Sequence, residues 1–354
     1  MKILSIVGAR PQFVKEAAIQ CALKQSEKIT EVLVHTGQHY DANMSGVFFD
    51  VLSMKAPDYN LGISETLHGA MTGRMLIQLE QVMIKEKPDI VLLYGDTNST
   101  TAGALAARKL KLQVAHIEAG LRQKKPKYIP EEANRVVTDH MSDFLFCPSQ
   151  VAVDNLNKEN IYDGVYFTGD VMYDIFLKMQ PSFDYSMIDE LRLVQDNYIL
   201  MTLHRDFNVD NKDVLTKILI EISRIAKEIP VVYPLHPRTR KRIQEFGLED
   251  LLSDLIITEP VDYLKLMGLT ENCFKAITDS GGYQKETYFA GKRAAVLMPE
   301  TGWIELIDND WNILAEPSDL YDFVYSKKSV QYERNIYGRG NASEEILRII
   351  KGVV

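Results

Sequence analysis

Two carboxylates, Asp96 and Glu118, come close behind short stretches: an apolar run rich in branched residues at 90–94, and a second strand-like stretch at 114–117. Runs of that length and makeup are too short for globular helices and read as buried parallel strands. The Ala- and Leu-rich segment 101–110 between them is long enough to cross back over a sheet, which completes one βαβ unit. Ligands of open parallel sheets bind beyond the carboxyl ends of the strands, so adjacent strands ending in carboxylates aim both at one crevice. Glu131 and Glu132 follow a Pro-containing loop that can fold back over the same place. Carboxylates gathered in this way can divide the work of general acid and general base. Taken singly, they also fit a helix cap at Asp96, a solvated loop charge at Glu118 and first-turn decoration at Glu131 and Glu132. Their joint placement behind strands favours the site.

A second constellation is TDSGGYQKE at 278–286, behind an apolar run and opening a helix. Gly281 and Gly282 let backbone N–H groups approach a ligand, Ser280 adds a hydroxyl, and a helix start favours negative charge, so the turn reads as a phosphate cradle. A tight turn with a serine cap is the plainer reading. Glu286 lies far enough into the helix to meet ribose hydroxyls. Arg10 and Lys15 flank another strand-to-helix turn, and His204-Arg205 follows a strand of the second half. Cations at strand ends of both halves would clamp a diphosphate from two sides. A lone histidine after a strand is commonly structural, and His204 gains weight only from Arg205 and the SGG turn. His39, in the polar TGQHY loop behind the second strand, is a further substrate-binding candidate. The basic run 238–242 has no interleaved aromatics and fits a solvated helix face equally well. Neither GxGxxG nor GxxxxGK[ST] occurs, which speaks against dinucleotide redox chemistry and P-loop hydrolysis.

The elements that must position these residues alternate strand and helix in both halves. Apolar runs at 3–7, 31–35, 90–94, 114–117, 144–147 and 165–168 supply strands of the first half, and those at 198–202, 231–235, 255–257, 274–278 and 294–298 supply the second. The helix expected at 66–86 carries Met71, Met75, Leu79 and Val82 on one face, a core stripe. The polar, aperiodic stretch 179–189 reads as the link. The expectation is an α/β protein of two Rossmann-like parallel-sheet domains facing across a cleft. Residues 1–170 would carry the carboxylates and 171–340 the nucleotide site, with a C-terminal helix in 341–354 packing back on the first domain.

A chain of 354 residues, 46% apolar and 25% charged, fits two globular domains. No apolar run approaches the roughly 18 residues of a membrane span, and residues 1–7 read as a first strand rather than a signal peptide. Three scattered cysteines suggest neither a disulfide framework nor a zinc site and fit a reducing cytoplasm. The formal charge of −9 argues against nucleic-acid binding.

The motifs GARPQFVK at 8–15, TGQHYD at 36–41, GDTNST at 95–100, HIEAGLR at 116–122, PEEANR at 130–135, HR at 204–205, TDSGGYQKE at 278–286 and YGRGNAS at 337–343 resemble the non-hydrolysing UDP-N-acetylglucosamine 2-epimerases. The match runs in order over the whole chain. It implies a GT-B-like fold, a UDP-sugar substrate, a homodimer, no metal or redox cofactor, and a place in making bacterial or archaeal surface-polysaccharide precursors. It implies functional roles for Arg10, Lys15, Asp96, Glu118, Glu131, His204, Arg205, Ser280, Gly281, Gly282 and Glu286. Three departures concern the sugar more than the reaction. Trp303 stands where many members carry an arginine, Val261 where some carry a glutamine, and the link from Glu118 to Glu131 is one residue shorter than in several members. GARPQF and the ETGW segment resemble a subgroup that includes 2-epimerases of UDP-2,3-diacetamido-2,3-dideoxyglucuronate.

The resemblance also implies a route. C2 of such a sugar has no neighbouring ring carbonyl, so enolisation is unavailable, and UDP is eliminated to a glycal and added back with hydrogen on the opposite face. Asp96, Glu118 and Glu131 would supply base and acid, and His204, Arg205, Arg10 and the SGG turn would stabilise the diphosphate. A glycosyltransferase of the same fold would need an acceptor groove as well. A nucleotide-sugar sensor would have no use for three converging carboxylates.

Overall fold

The computed structural model describes residues 1–24, 28–37, 54–123 and 130–353. Contacts divide the chain into Met1–Lys178 with Arg334–Val354 and Met179–Glu333. The division thus falls between Lys178 and Met179 where Asp170 was expected to end the first domain, and residues 334–340 group with the first unit; all but the last residue of the helix Val171–Met179 stays there, and its Asp174 holds the start of the last helix.

In the first unit seven parallel strands run β3-β2-β1-β4-β5-β6-β7. They are β1 (Lys2–Val7), β2 (Thr30–His35), β3 (Tyr59–Asn60), β4 (Ile90–Tyr94), β5 (Gln113–Ile117), β6 (Phe144–Cys147) and β7 (Val165–Phe167). All of β4 is buried, as an apolar run covered on both faces must be. Its neighbours are β1 (Ile3 opposite Ile90) and β5 (Ile90 opposite Gln113). On one face Leu4, Ile6, Val91 and Leu93 pack with Met75 and Leu79 of the helix His68–Glu86 and with Ala104 of the helix Asn98–Lys109, so the methionine stripe is core. Gly103 permits that approach: a Cβ there would lie 2.7 Å from Leu93 Cδ2 and 2.8 Å from Ile6 Cδ1. The last helix, Ala342–Val353, packs on the first, Arg10–Leu23. Asp174 accepts the N–H groups of Ala342 at 3.0 Å and Ser343 at 2.7 Å, which caps it.

The second unit holds six parallel strands in the order β10-β9-β8-β11-β12-β13. They are β8 (Ile199–Thr202), β9 (Val231–Pro234), β10 (Ile256–Thr258), β11 (Lys275–Thr278), β12 (Ala294–Val296) and β13 (Ile313–Leu314). The helix Lys212–Ala226 buries Leu215, Ile218, Leu219, Ile222 and Ile225 against this sheet, each worth about 1.5–3 kcal/mol of transfer free energy. The stretch expected as a link contains a 3₁₀ turn, Gln180–Ser182, and a short helix, Ser186–Glu190. The edge strands β3 and β13 are two residues each, too short to carry a periodic signal. Strand order reverses between β1 and β4 in one sheet and between β8 and β11 in the other, which marks where each sheet can take a ligand.

Candidate active site

In the first unit the segments behind β1, β4 and β5 converge. Thr97, and not Asp96, caps the helix Asn98–Lys109: its hydroxyl accepts the Thr100 N–H at 3.4 Å. The Asp96 carboxylate is therefore available elsewhere and pairs with the Arg135 guanidinium. The same guanidinium holds Glu132. Asn134 Nδ2, one residue before Arg135, donates to the Asp96 carbonyl at 3.0 Å.

Glu118 is buried, and its backbone sits in the left-handed region at φ 73°, which costs a residue with a side chain about 1 kcal/mol. A buried carboxylate needs a partner, and Lys15 Nζ lies 2.6 Å from its Oε1. This pair rests against Gly95, where a Cβ would stand 3.4 Å from Lys15 Nζ and 3.5 Å from Glu118 Oε1. The solvated-charge reading of Glu118 does not survive this burial. Glu131 is exposed on the first turn of the helix Pro130–Met141 and, among the described residues, makes no hydrogen bond or ion pair. Glu132 beside it is 1% exposed and faces inward to Arg135. Arg10 opens the first helix, but its side chain lies outside the described part of the structure, as does the whole of His39.

In the second unit β8 and β11 are neighbours, and their following turns are tied by Asp279. Its fully buried carboxylate accepts N–H groups of His204 at 3.0 Å and Arg205 at 2.8 Å, and Asn208 Nδ2 at 3.2 Å. His204 Nδ1 lies 3.2 Å from Asp279 Oδ1. Burial pushes the Asp279 carboxyl upward, yet the hydrogen bonds and charge it meets from His204, with Arg205 and Asn208, bring it below the ordinary range, so it is ionised. That fixes the imidazole by Nδ1 and leaves Nε2, which has no hydrogen-bond partner among the described residues, as the nitrogen open to a ligand. The His236 ring stands 5.7 Å away, its pKa lowered by burial and by His204.

The Ser280-Gly281-Gly282 turn joins β11 to the helix Tyr283–Phe289. Ser280 N donates to Thr278 Oγ1 at 3.0 Å and Ser280 Oγ accepts from Tyr283 N at 3.3 Å. The N–H groups of Gly281 and Gly282 have no partner among the described residues. Trp303 Nε1 donates to the Gly281 carbonyl at 3.0 Å, and Lys285 Nζ lies 3.6 Å from the indole centroid. Glu286 is half-buried on the first turn of the helix.

His116, Asn134, Arg135 and Asp279 stand inside the motifs HIEAGLR, PEEANR and TDSGGYQKE without being marked there as individual residues, and Asp139 lies four residues beyond any motif, with no signal in the sequence to find it. Among the described residues no group of three or more His, Cys, Asp or Glu side chains could hold a metal ion, and no helix is long and apolar enough to cross a membrane.

Residues 21–351 match the family model of UDP-N-acetylglucosamine 2-epimerase. A UDP-2,3-diacetamido-2,3-dideoxy-D-glucuronate 2-epimerase of Pseudomonas aeruginosa is 43% identical over 98% of both chains. A UDP-N-acetylglucosamine 2-epimerase of Methanococcus maripaludis is 40% identical over 99% of this chain and 98% of its own. The crystal structure of the Methanocaldococcus jannaschii UDP-GlcNAc 2-epimerase in complex with UDP-GlcNAc and UDP superposes with a TM-score of 0.84 at 38% identity, covering 99% of this chain and 100% of that one. Two parallel-sheet α/β domains of the GT-B-like class and a whole-length sequence match therefore agree, and the chain belongs to the UDP-N-acetylglucosamine 2-epimerase family, an isomerase family.

Proposed function

We propose that this enzyme interconverts UDP-N-acetylglucosamine and UDP-N-acetylmannosamine without hydrolysis, by elimination and readdition of UDP. In elimination a base removes the C2 proton, the C2–H electrons become the C1=C2 bond, and the C1–O bond breaks so that UDP leaves with its electron pair. Readdition returns a proton to the other face of C2 and re-forms the C1–O bond. Among Asp96, Glu118 and Glu131, one takes the first proton and one gives the second. His204 Nε2, with Arg205 and Arg10, stabilises the departing diphosphate, and the free N–H groups of Gly281 and Gly282 bind its oxygens. Lys15 holds Glu118, His39 contacts the substrate, and Glu286 takes the ribose.

The observation that carries this reading is the pairing of the two carboxylates behind adjacent strands with cations, Glu118 with Lys15 and Asp96 with Arg135, which also holds Glu132. The test is incubation with UDP-GlcNAc alone in D₂O, followed by proton NMR. The expected product is UDP-ManNAc with deuterium at C2. Free N-acetylmannosamine would indicate hydrolysis, product without deuterium would sink the elimination route, and unchanged substrate would exclude the activity.

A second reading, the 2-epimerisation of UDP-2,3-diacetamido-2,3-dideoxyglucuronate, is favoured by Trp303 against the Gly281 carbonyl and by the Pseudomonas relative. Parallel incubation with that sugar nucleotide separates the two. We further infer that the enzyme works as a cytoplasmic homodimer supplying surface-polysaccharide precursors.

A further inference from the structure

His116 lies in β5, two residues before Glu118, with its side chain fully buried. Its Nε2 is 2.7 Å from the Gly95 carbonyl oxygen, and its Nδ1 is 2.7 Å from Asp139 Oδ1. Asp139 is itself buried; burial raises its carboxyl, but the hydrogen bond and charge of His116 and the charge of Arg122 bring it below the ordinary range. Both ring nitrogens therefore face acceptors. A neutral imidazole has one N–H and would turn its remaining lone pair on an oxygen at 2.7 Å, whereas a ring with two N–H groups satisfies both contacts.

The surroundings balance that charge. Asp139 Oδ2 accepts Arg122 Nη1 at 2.7 Å and Gly120 N at 3.1 Å. Arg122 forks onto Glu159 at 2.6 and 2.9 Å. The Cys147 thiol of β6 also faces Asp139 and Arg122, and burial pushes it up, so it stays neutral. His116, Asp139, Arg122 and Glu159 thus alternate in sign.

The contacts also close a loop. Gly95 adopts φ 61° and lacks the Cβ that would restrict its rotation; its N–H donates to the Ile117 carbonyl at 3.0 Å, and further contacts hold its carbonyl and Asp96. The helix Pro130–Met141 adds two such contacts: Asn134 and Arg135 grip Asp96 from one end, and Asp139, through His116, grips the carbonyl of Gly95. We propose that His116 is a positioning residue for the reaction: held doubly protonated between Asp139 and the Gly95 carbonyl, it locks the Gly95–Asp96 turn to that helix and so fixes where the Asp96 carboxylate stands relative to Glu118.

This rests on the epimerase reading, and the test separates the two. Failure of the wild-type enzyme to convert any UDP-sugar would remove that reading. The protonation of His116 is read without activity, by proton–nitrogen NMR of the histidine rings of the wild-type protein at neutral pH, assigned with His116→Gln. One ring with two N–H protons protected from solvent exchange, missing in the variant, is expected, and a singly protonated His116 overturns the inference. The positioning role is read on His116→Gln and Asp139→Asn. Each should lose about 10- to 100-fold in kcat, the scale of a small misplacement of a catalytic group, with KM and UDP affinity within about twofold of wild type. Free UDP and glycal should also escape in a larger share of turnovers, because a misplaced Asp96 slows one half of the reaction. Wild-type kcat in folded His116→Gln overturns the proposal. Loss of kcat matched by loss of UDP affinity, or failure of both variants to fold, makes His116 structural only and overturns it as well.

Discussion

Glu118→Gln keeps the shape of the side chain and an oxygen for Lys15, and removes only the charge. In the folded protein Lys15 Nζ and Glu118 Oε1 are 2.6 Å apart, with the two side chains 8% and 10% exposed. At that separation and an effective dielectric of about 20 the attraction is about 6 kcal/mol. Removing two ions from water cancels most of it, so the intact pair adds little net stability. Deleting one partner is different, since it strands a nearly dry ammonium, which costs about 3–5 kcal/mol. The amide oxygen recovers part of this as a hydrogen bond, which leaves about 2–3 kcal/mol for Glu118→Gln. Lys15→Met should cost a similar amount by stranding the carboxylate. The double variant strands neither, so the cycle should show a coupling of about 2 kcal/mol or more. Urea denaturation of the four proteins, followed by circular dichroism, measures the coupling, and NMR of the sugar nucleotide measures turnover. Turnover should fall about 100-fold in Glu118→Gln and should not return in the double variant. Additivity within about 0.5 kcal/mol would refute the argument that these two charges compensate each other, and near-normal turnover in folded Glu118→Gln would refute a catalytic role for Glu118.

Asp96→Asn and Glu131→Gln should each lower turnover by about 100-fold while calorimetric UDP binding changes little, because charge and not shape is removed. Ser280→Pro removes the N–H that Ser280 gives to Thr278 and distorts the turn, so UDP affinity measured by calorimetry should drop by tenfold or more, about 1.4 kcal/mol. Asp279 gives the pH prediction: its folded-state pKa is depressed, so its contribution is fully present above the unfolded value near 3.8 and is lost as pH falls below it. Thermal melts between neutral pH and pH 3 should show a shallower acid limb in Asp279→Asn than in wild type. Gly103→Val would press methyl groups on Leu93 and Ile6, whose atoms already lie under 3 Å from a Cβ at that site, and should cost about 1–3 kcal/mol by urea denaturation.

The strands behind the site were legible because they are buried on both faces: 90–94 is a continuous apolar run and 114–117 is apolar but for His116, and a carboxylate after such a run has few places to point. The SGG segment was legible as a strand-to-helix turn, since two glycines and a serine behind a strand punctuate the chain where the helix Tyr283–Phe289 begins. The short edge strands β3 and β13 were not, because two residues hold no period. Nor could spacing show that Thr97 caps the helix, so that Asp96 turns to Arg135 39 positions away, or that Lys15 crosses 103 positions to Glu118. His116 reads in sequence as one more residue of a buried strand, and only the packing of the helix Pro130–Met141 against β5 sets Asp139 at one ring nitrogen and the Gly95 carbonyl at the other. Composition and periodicity determine which faces must be buried, because burial acts on each residue's own surface. The pairing of buried charges depends on which side chains the completed fold brings within about 3 Å, and that was decided by tertiary structure alone.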